Sequence, residues 1–182
     1  MDHFAIVTAF GQDRPGIVAA MADALYRLGC NIEDSCMTRL RGEFTMMLMV
    51  RLPEGIGAET LGQRLTPYTA PLDLAVLCRA MPDQAAAREA TPEVPTFMLS
   101  VYGADHPGIV AQVARTVAQH NGNITDMNTR VIGPGDVPVY VMVLEIQLPE
   151  AQQADRLRLA LEQLKPVLGV DLTFRPLESV TF

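Results

Sequence analysis

Apolar residues along this chain follow two spacings, one typical of helices and one typical of strands. Ile17, Met21 and Ala24 recur at the three- and four-residue spacing of one helix face. They predict a helix over 15–28, and an apolar run over 3–10 predicts a strand before it. The chain therefore begins with a strand followed by an amphipathic helix.

Further apolar runs complete the order strand, helix, strand, strand, helix, strand in the first half. The second helix contains Leu61 and Leu65 and is predicted to stop near Pro67, because proline removes a backbone donor and ends or kinks helices. The other predicted strands of this half cover 31–40, 43–52 and 72–78.

The second half repeats this order with a longer hairpin loop. The loop over 133–138 is rich in glycine and proline, which predicts a surface position. The predicted strands cover 96–103, 124–132, 139–148 and 170–175, and the predicted helices cover 107–120 and 150–164.

The order βαββαβ is typical of the ferredoxin-like arrangement, a four-stranded antiparallel sheet with two helices on one face. We therefore predict an α+β protein of two such domains, in which the first and third strands of each sheet are central. The predicted domains are 1–79 and 96–182, and the Ala-, Pro- and Glu-rich segment 80–95 is the predicted linker.

The central strands of the first half are apolar at almost every position, which predicts that both faces of the sheet are covered. The unit's own helices cover one face, so we expect the second face to meet the other unit or another copy of the chain. Met46, Met47 and Met49 are interpreted as this packing. The alternative is an adaptable surface for a protein partner.

One motif occurs at the same place in both halves. The segment GQDRPGIVA over 11–19 returns as GADHPGIVA over 103–111, and each copy is followed at the same distance by Asn-Ile-x-Asp. Eleven positions are identical between residues 11–34 and residues 103–126, where composition alone gives roughly one or two. The chain is therefore a tandem repeat of two small domains.

Both copies place acidic and small residues at the predicted start of the first helix. Asp13 and Asp105 precede the helix, where a carboxylate can cap it. Gly16 and Gly108 are predicted to lie in the first turn, where glycine is unfavourable and therefore indicates the close approach of a ligand. Open amides at a helix start can receive a small carboxylate, and the aspartate can face an ammonium group.

Asn31 and Asn123 begin the second predicted strand of each half and offer both a donor and an acceptor. With the aspartates and glycines at the helix starts, they suit a zwitterionic amino acid. The alternative is that the Asp, Pro and Asn residues serve only the turns and caps in which such residues are common.

Composition and net charge argue against several classes of function. The net charge of −7 argues against direct contact with nucleic acid, which needs a basic surface. Three cysteines at spacings unlike those of zinc sites indicate reduced, packed thiols in a cytoplasmic protein, with no metal site. No segment is long and apolar enough to predict a membrane span. The cysteines are Cys30, Cys36 and Cys78.

The titratable residues do not form a catalytic set. Each repeated segment supplies one acid and no repeated His, Cys or Lys, and His3, His106 and His120 occupy unrelated positions. We therefore predict that the protein is not an enzyme and needs no cofactor.

The repeated motif and the element order resemble the ACT domain, a small-molecule-binding regulatory module, in tandem over nearly the whole chain. The stretches DRPGIV over 13–18 and GCNIEDS over 29–35 are similar to those of the glycine cleavage system transcriptional repressor group. This resemblance implies a cytoplasmic regulator without its own DNA-binding domain, which contacts a transcriptional activator and responds to glycine or a similar amino acid.

The resemblance also implies where the ligand binds and how the chain assembles. Carried over to this sequence, the ligand residues are Asp13, Gly16, Asn31, Asp105, Gly108 and Asn123. ACT ligands usually lie between paired domains, which implies a homo-oligomer, such as a dimer, or pairing within the chain. Many ACT units only pair and bind nothing, so a ligand-free scaffold and an amino-acid sensor of another pathway are the alternatives.

Overall fold

A computed structural model of the chain describes residues 3–82, 94–133 and 138–177. The chain divides into two compact units, Met1–Glu89 and Ala90–Phe182. Most of the predicted linker, 83–93, and the middle of the predicted hairpin loop, 134–137, lie outside the described residues.

The first unit follows the predicted order of elements. Its strands are β1 (Phe4–Gln12), β2 (Asn31–Leu40), β3 (Glu43–Arg51) and β4 (Ala75–Met81), and its helices are α1 (Ile17–Arg27) and α2 (Ala58–Thr69). A 3-10 turn over Ala70–Leu72 follows α2, so β4 begins three residues later than predicted.

The second unit repeats the same order. Its strands are β5 (Thr96–Ala104), β6 (Asn123–Ile132), β7 (Val139–Gln147) and β8 (Val170–Pro176), and its helices are α3 (Ile109–Gln119) and α4 (Gln153–Leu168).

Each unit contains one four-stranded antiparallel sheet, as predicted. The strand orders are β2-β3-β1-β4 and β6-β7-β5-β8, so the first and third strands of each unit are central. The second strand of each unit is an edge strand, and it carries a bulge at the residue between Ile and Asp of the repeated Asn-Ile-x-Asp. The α+β, ferredoxin-like prediction is confirmed.

Both helices of a unit pack on the same face of its sheet. In the first unit, Ala5 and Val7 of β1 share one buried cluster with Met21 of α1 and with Leu61 and Leu65 of α2. The second unit has the equivalent cluster around Leu99, Val113 and Leu161. Burial of this single apolar face is the main stabilising contribution in domains of this kind.

Two helices contain a proline and extend a few residues beyond their predicted ends, which were near Pro67 and at residue 164. Helix α2 contains Pro67 and continues to Thr69, and α4 contains Pro166 and continues to Leu168. Both prolines lie in the last turn, so little helix remains to be disrupted after them. Thr69 and Leu168 are buried, and this packing outweighs the lost backbone bond.

The second face of the first sheet carries apolar side chains that are exposed in the single chain. Phe10, Met47 and Leu77 are 53%, 47% and 65% exposed. Met46 was predicted to join this face, and that assignment is wrong. Because side chains alternate along a strand, Met46 lies on the helix face and is buried in the unit's own core.

Candidate functional site

The two helix starts have the same backbone conformation. Gly16 and Gly108 are the N-cap residues of α1 and α3, with φ of +94° and +104°, and no side chain caps either helix. This left-handed region is strained for any residue with a Cβ, so the turn itself requires glycine. The first-turn position predicted for these glycines is wrong, and Pro15 and Pro107 precede the N-cap rather than start the helix.

The space in front of both helix starts is open. A Cβ added at Gly16 would meet no atom within 4 Å, and one added at Gly108 would meet only Gln112 Nε2 at 3.6 Å. The positive φ therefore explains the repeated glycine without a ligand, and a Cβ would find room at both positions.

Asp13 is paired inside the first unit. Arg39 donates a hydrogen bond from Nη1 to Asp13 Oδ2 at 2.9 Å, and the Asp13 amide donates to the Gly42 carbonyl at 2.8 Å. Arg39 reaches Asp13 because β1 and β2 both run antiparallel to β3. The last residues of β1 and β2 therefore lie at the same end of the sheet. Asp13 therefore joins the helix-start loop to the edge strand and does not cap α1.

Asn31 takes part in a second polar cluster. Its Nδ2 donates to Glu33 Oε1 at 3.0 Å, and Arg51 Nε donates to the same oxygen at 2.8 Å. These two hydrogen bonds, that from Arg51 first, hold the pKa of Glu33 below its usual value. The Arg51 guanidinium also lies 5.1 Å from the centre of the Phe4 ring, within the range of a cation–π contact.

The predicted ligand residues of one unit are not brought together. Asn31 lies in the same row of the sheet as Phe4, at the start of β1, whereas Asp13 follows Gln12 at its end. Eight residue steps of a strand separate these rows, which is roughly 26 Å. The second unit has the same separation, because Asn123 is level with Thr96 and Asp105 follows Ala104.

The second unit lacks the polar pairs of the first. Within the described residues, neither Asp105 nor Asn123 has a hydrogen bond or an ion pair of its side chain. Val131 occupies the repeat position of Arg39, and Thr125 occupies that of Glu33. Thr125 donates its hydrogen bond to Glu145 Oε1 at 3.0 Å.

His106 anchors the second helix-start loop to another helix. Its Nε2 lies 2.7 Å from the Leu168 carbonyl oxygen at the end of α4, and its Nδ1 lies 3.1 Å from the Pro107 carbonyl oxygen. Only a protonated ring donates to both carbonyls, so these contacts, that with Leu168 first, raise the pKa of His106. Arg14 occupies this position in the first unit and is exposed.

Sequence reasoning missed Arg39, Arg51, Glu33 and His106 as partners of the motif residues. The predicted strand order already indicated the contact of Arg39, because β1 and β2 flank β3 and end at the same end of the sheet. The contact between His106 and Leu168 joins residues that are distant in sequence, and no local pattern marks it.

The cysteines differ in their surroundings. Cys30 is buried and Cys78 is half-buried, and burial raises the pKa of the Cys78 thiol to about 11, so it stays protonated at neutral pH. Cys36 lies exposed on β2, so the prediction that all three cysteines are packed is wrong for this residue.

The described residues contain neither a candidate metal site nor a candidate membrane-spanning helix. In the ranges that the structure covers, no group of three His, Cys, Asp or Glu side chains could hold a metal ion. None of the helices in those ranges is long and apolar enough to cross a membrane.

Comparison with protein families assigns the same module to both units. The ACT domain models match residues 3–78 and 97–165. The two matches together span most of the chain, one in each unit, and the second match ends before β8.

Comparison with individual proteins gives relatives that match most of the chain. The chain is 32% identical over 129 residues to the glycine cleavage system transcriptional repressor of Escherichia coli K12. This match covers 70% of the chain and 65% of that protein, so the chain spans slightly less than two thirds of its length.

Two further proteins are similar to this chain, one over a single unit and one in its fold alone. A UPF0237 protein of Methanopyrus kandleri is 37% identical over 76 residues, which is 41% of this chain and 80% of that protein. The crystal structure of an unknown protein from Galdieria sulphuraria has a TM-score of 0.80 at 24% identity and covers 97% of this chain and 99% of that one.

The left-handed N-cap predicts a specific cost of substitution. We expect Gly16→Ala to lower the free energy of unfolding by about 1–2 kcal/mol, because a Cβ is strained at positive φ. Gly57→Ala is the matched control, since Gly57 is the N-cap of α2 with φ of −93° and open space around it. Urea unfolding of both variants measures the difference. An equal decrease in the free energy of unfolding in both variants would show that the left-handed conformation is not the reason for glycine at position 16.

The contacts of His106 predict a pH dependence of stability. Because its pKa is raised in the folded state, its contribution is fully present below the unfolded value of about 6.5 and is lost as the pH rises through the folded pKa. We expect the wild type to lose more stability than His106→Gln over that interval. Thermal unfolding at pH 5.5 to 8.5 measures this, and identical pH profiles would contradict it.

Proposed function

The chain belongs to the ACT-domain family, with one ACT domain in each unit, and on that premise we propose that it is a regulatory protein that responds to a small amino acid. The repeated helix start carries this proposal. In both units the N-cap has no side chain and the space before it is open, so amides at the positive end of the helix can receive a ligand carboxylate.

The predicted ligand residues supply the complementary groups. The aspartates at positions 13 and 105 offer a negative charge to the ammonium group, and Asn31 and Asn123 offer an amide to the rest of the ligand. One ACT domain holds its aspartate and its asparagine at opposite ends of the sheet, so one domain supplies only half of the set. We propose that a second ACT domain supplies the other half.

We further propose that the protein acts by contact with a transcriptional activator in the control of glycine cleavage. The similarity to the Escherichia coli repressor supports this, and the net charge of −7 disfavours direct binding to DNA. The protein is then a cytoplasmic regulator rather than an enzyme. A ligand that favours one arrangement of ACT domains by 1–3 kcal/mol would change the affinity for the activator about 5- to 150-fold.

A ligand-free pairing module is the competing function, and specific contacts favour it. Asp13 and Asn31 are both engaged in polar pairs within the first unit, and the backbone alone requires Gly16. In a pure scaffold these residues would serve the fold, and no amino acid would bind.

Calorimetric titration with each of the twenty amino acids separates the two functions. We expect saturable binding of glycine or another small amino acid, and its loss in the Asn31→Ala, Asn123→Ala double variant with little change in melting temperature. Asn128→Ala is the control, because Asn128 lies exposed on β6 and its side-chain amide donates a hydrogen bond to Asp126. Absence of heat with every amino acid would favour the scaffold.

Transcript measurements test the proposed pathway. Deletion of the gene is expected to raise the transcripts of the glycine cleavage enzymes during growth without glycine, and the wild-type gene on a plasmid is expected to lower them again. Unchanged transcripts in the deletion strain would overturn the pathway assignment and leave an amino-acid sensor of another process.

A further inference from the structure

The strand β6 forms an exposed edge of the second sheet. It is ten residues long, all of them exposed except Ile124, and within the described residues no strand pairs with its outer side. Its bulge lies before Asp126, so the ladder over 126–132 is regular. Long edge strands pair readily with another chain unless proline, lysine or a bulge protects them. The regular part of β6 has none of these protections.

The face of β6 that the helices leave uncovered carries unbalanced charges. Asp126 and Arg130 lie on this face, because side chains alternate along a strand. Asp126 is opposite Glu145 of β7, which is a like charge, and neither carboxylate forms an ion pair within the described residues. Arg130 is opposite the apolar Val141, and its side chain has no partner within those residues. Two carboxylates therefore share one row without a cation, and the cation lies two residues further along.

These charges are complementary to those of a second β6 strand. A two-fold axis at Asn128, perpendicular to the sheet, would pair two β6 strands antiparallel and place Asp126 of each opposite Arg130 of the other. An axis at Asp126 or at Arg130 would place like charges opposite each other. An axis at Met127 or at Thr129 would form no charge pair. The charges therefore select one register.

The same register brings exposed apolar side chains together on the helix side of the sheet. Met127 and Val131 are 50% and 46% exposed, although the residues opposite them on β7, Leu144 and Tyr140, are buried in the core. A second copy would cover both side chains with the equivalent part of its own edge. Burial of apolar surface is the main favourable contribution to most protein association, and the charge pairs set the register.

The edge strand of the first unit lacks this complementarity. The repeat positions of the row are Asp34, Cys36 and Thr38 on β2, so an axis at Cys36 would place Asp34 opposite a neutral residue. The arginine of this strand, Arg39, lies on the other face of the sheet and is bound to Asp13. No register of two β2 strands on one face pairs Arg39 with Asp34.

We propose that two copies of the chain join edge to edge through β6, with Asp126 of each protomer paired with Arg130 of its partner, so that the two second-unit sheets continue as one. The pairing requires neither an amino acid nor an activator, so it stands independently of the proposed function. The charge row assigns this interface to the second unit and not to the first.

Charge reversal tests the pairing in the full-length chain. Sedimentation over a concentration series measures the dissociation constant of the dimer. Asp126→Arg and Arg130→Asp are each expected to raise this constant about tenfold or more, because each variant places two pairs of like charges opposite each other. An equimolar mixture of the two variants is expected to dimerise as the wild type does, because a mixed dimer opposes two positive charges to two negative ones. The chain with both substitutions is expected to dimerise equally well.

Asp34→Arg is the matched control, because it makes the same change at the repeat position on the first unit's edge strand. It is expected to leave the dissociation constant unchanged. The substituted side chains are exposed, so we expect wild-type melting temperatures for all variants.

A disulfide provides a second measurement that does not depend on charge. Asn128 faces its own copy at the axis, and directly opposed residues of antiparallel strands lie within disulfide range. Asn128→Cys in a Cys36→Ser background is therefore expected to form a covalent dimer under oxidising conditions. The wild-type chain has Cys36 at the repeat position and is expected to form none.

Three results would overturn the proposal. A monomeric wild type would leave the edge to a protein of another kind. Dimers that persist in both single charge variants would place the interface elsewhere, and dissociation by Asp34→Arg or a disulfide through Cys36 would place it in the first unit. Amino-acid titration of the same samples judges the proposed function separately.

Discussion

The antiparallel pairing of β1 with β3, and of β5 with β7, determines which residues of each unit lie at each end of its sheet. These central strands bury one apolar face beneath two helices, and their register fixes which residues share each end of the sheet. Because α1 and α3 return along the sheet after β1 and β5, the helix start and the beginning of the next strand lie at opposite ends. The repeated motif, although compact in sequence, is therefore divided in space.

This division places the helix start and the asparagine of each motif at opposite ends of the sheet, and the two units differ in the edge-strand residues that contact them. Arg39 and Glu33 are both on the exposed β2 strand, where they engage the motif residues of the first unit. Solvent screens exposed pairs of this kind, so their gain or loss hardly affects the stability of the fold. The two units therefore keep the same sheet order and the same helix starts while differing in the polar contacts of their motif residues.

Several predictions from local sequence patterns differ from the structure, because tertiary packing or backbone conformation determines these positions. Pro67 does not end α2, because the buried face of the helix continues to Thr69. Met46 packs in the core rather than on the open face, because alternation along β3 places it on the helix side. Gly16 is explained by its left-handed N-cap conformation, which spacing in the sequence does not reveal.

The sequence by itself determined the duplication, the order of elements, the fold class and the central strands, because hydrophobic spacing and turn residues act locally and occur twice. It also identified the helix-start and strand-start residues of the motif. Only the tertiary structure decided that Asp13 meets Arg39 and that Asn31 joins Glu33 and Arg51. It also decided that the Asp105 and Asn123 side chains form no hydrogen bond or ion pair with the residues that the structure describes. Such pairings depend on sheet register, which brings together residues that are far apart along the chain.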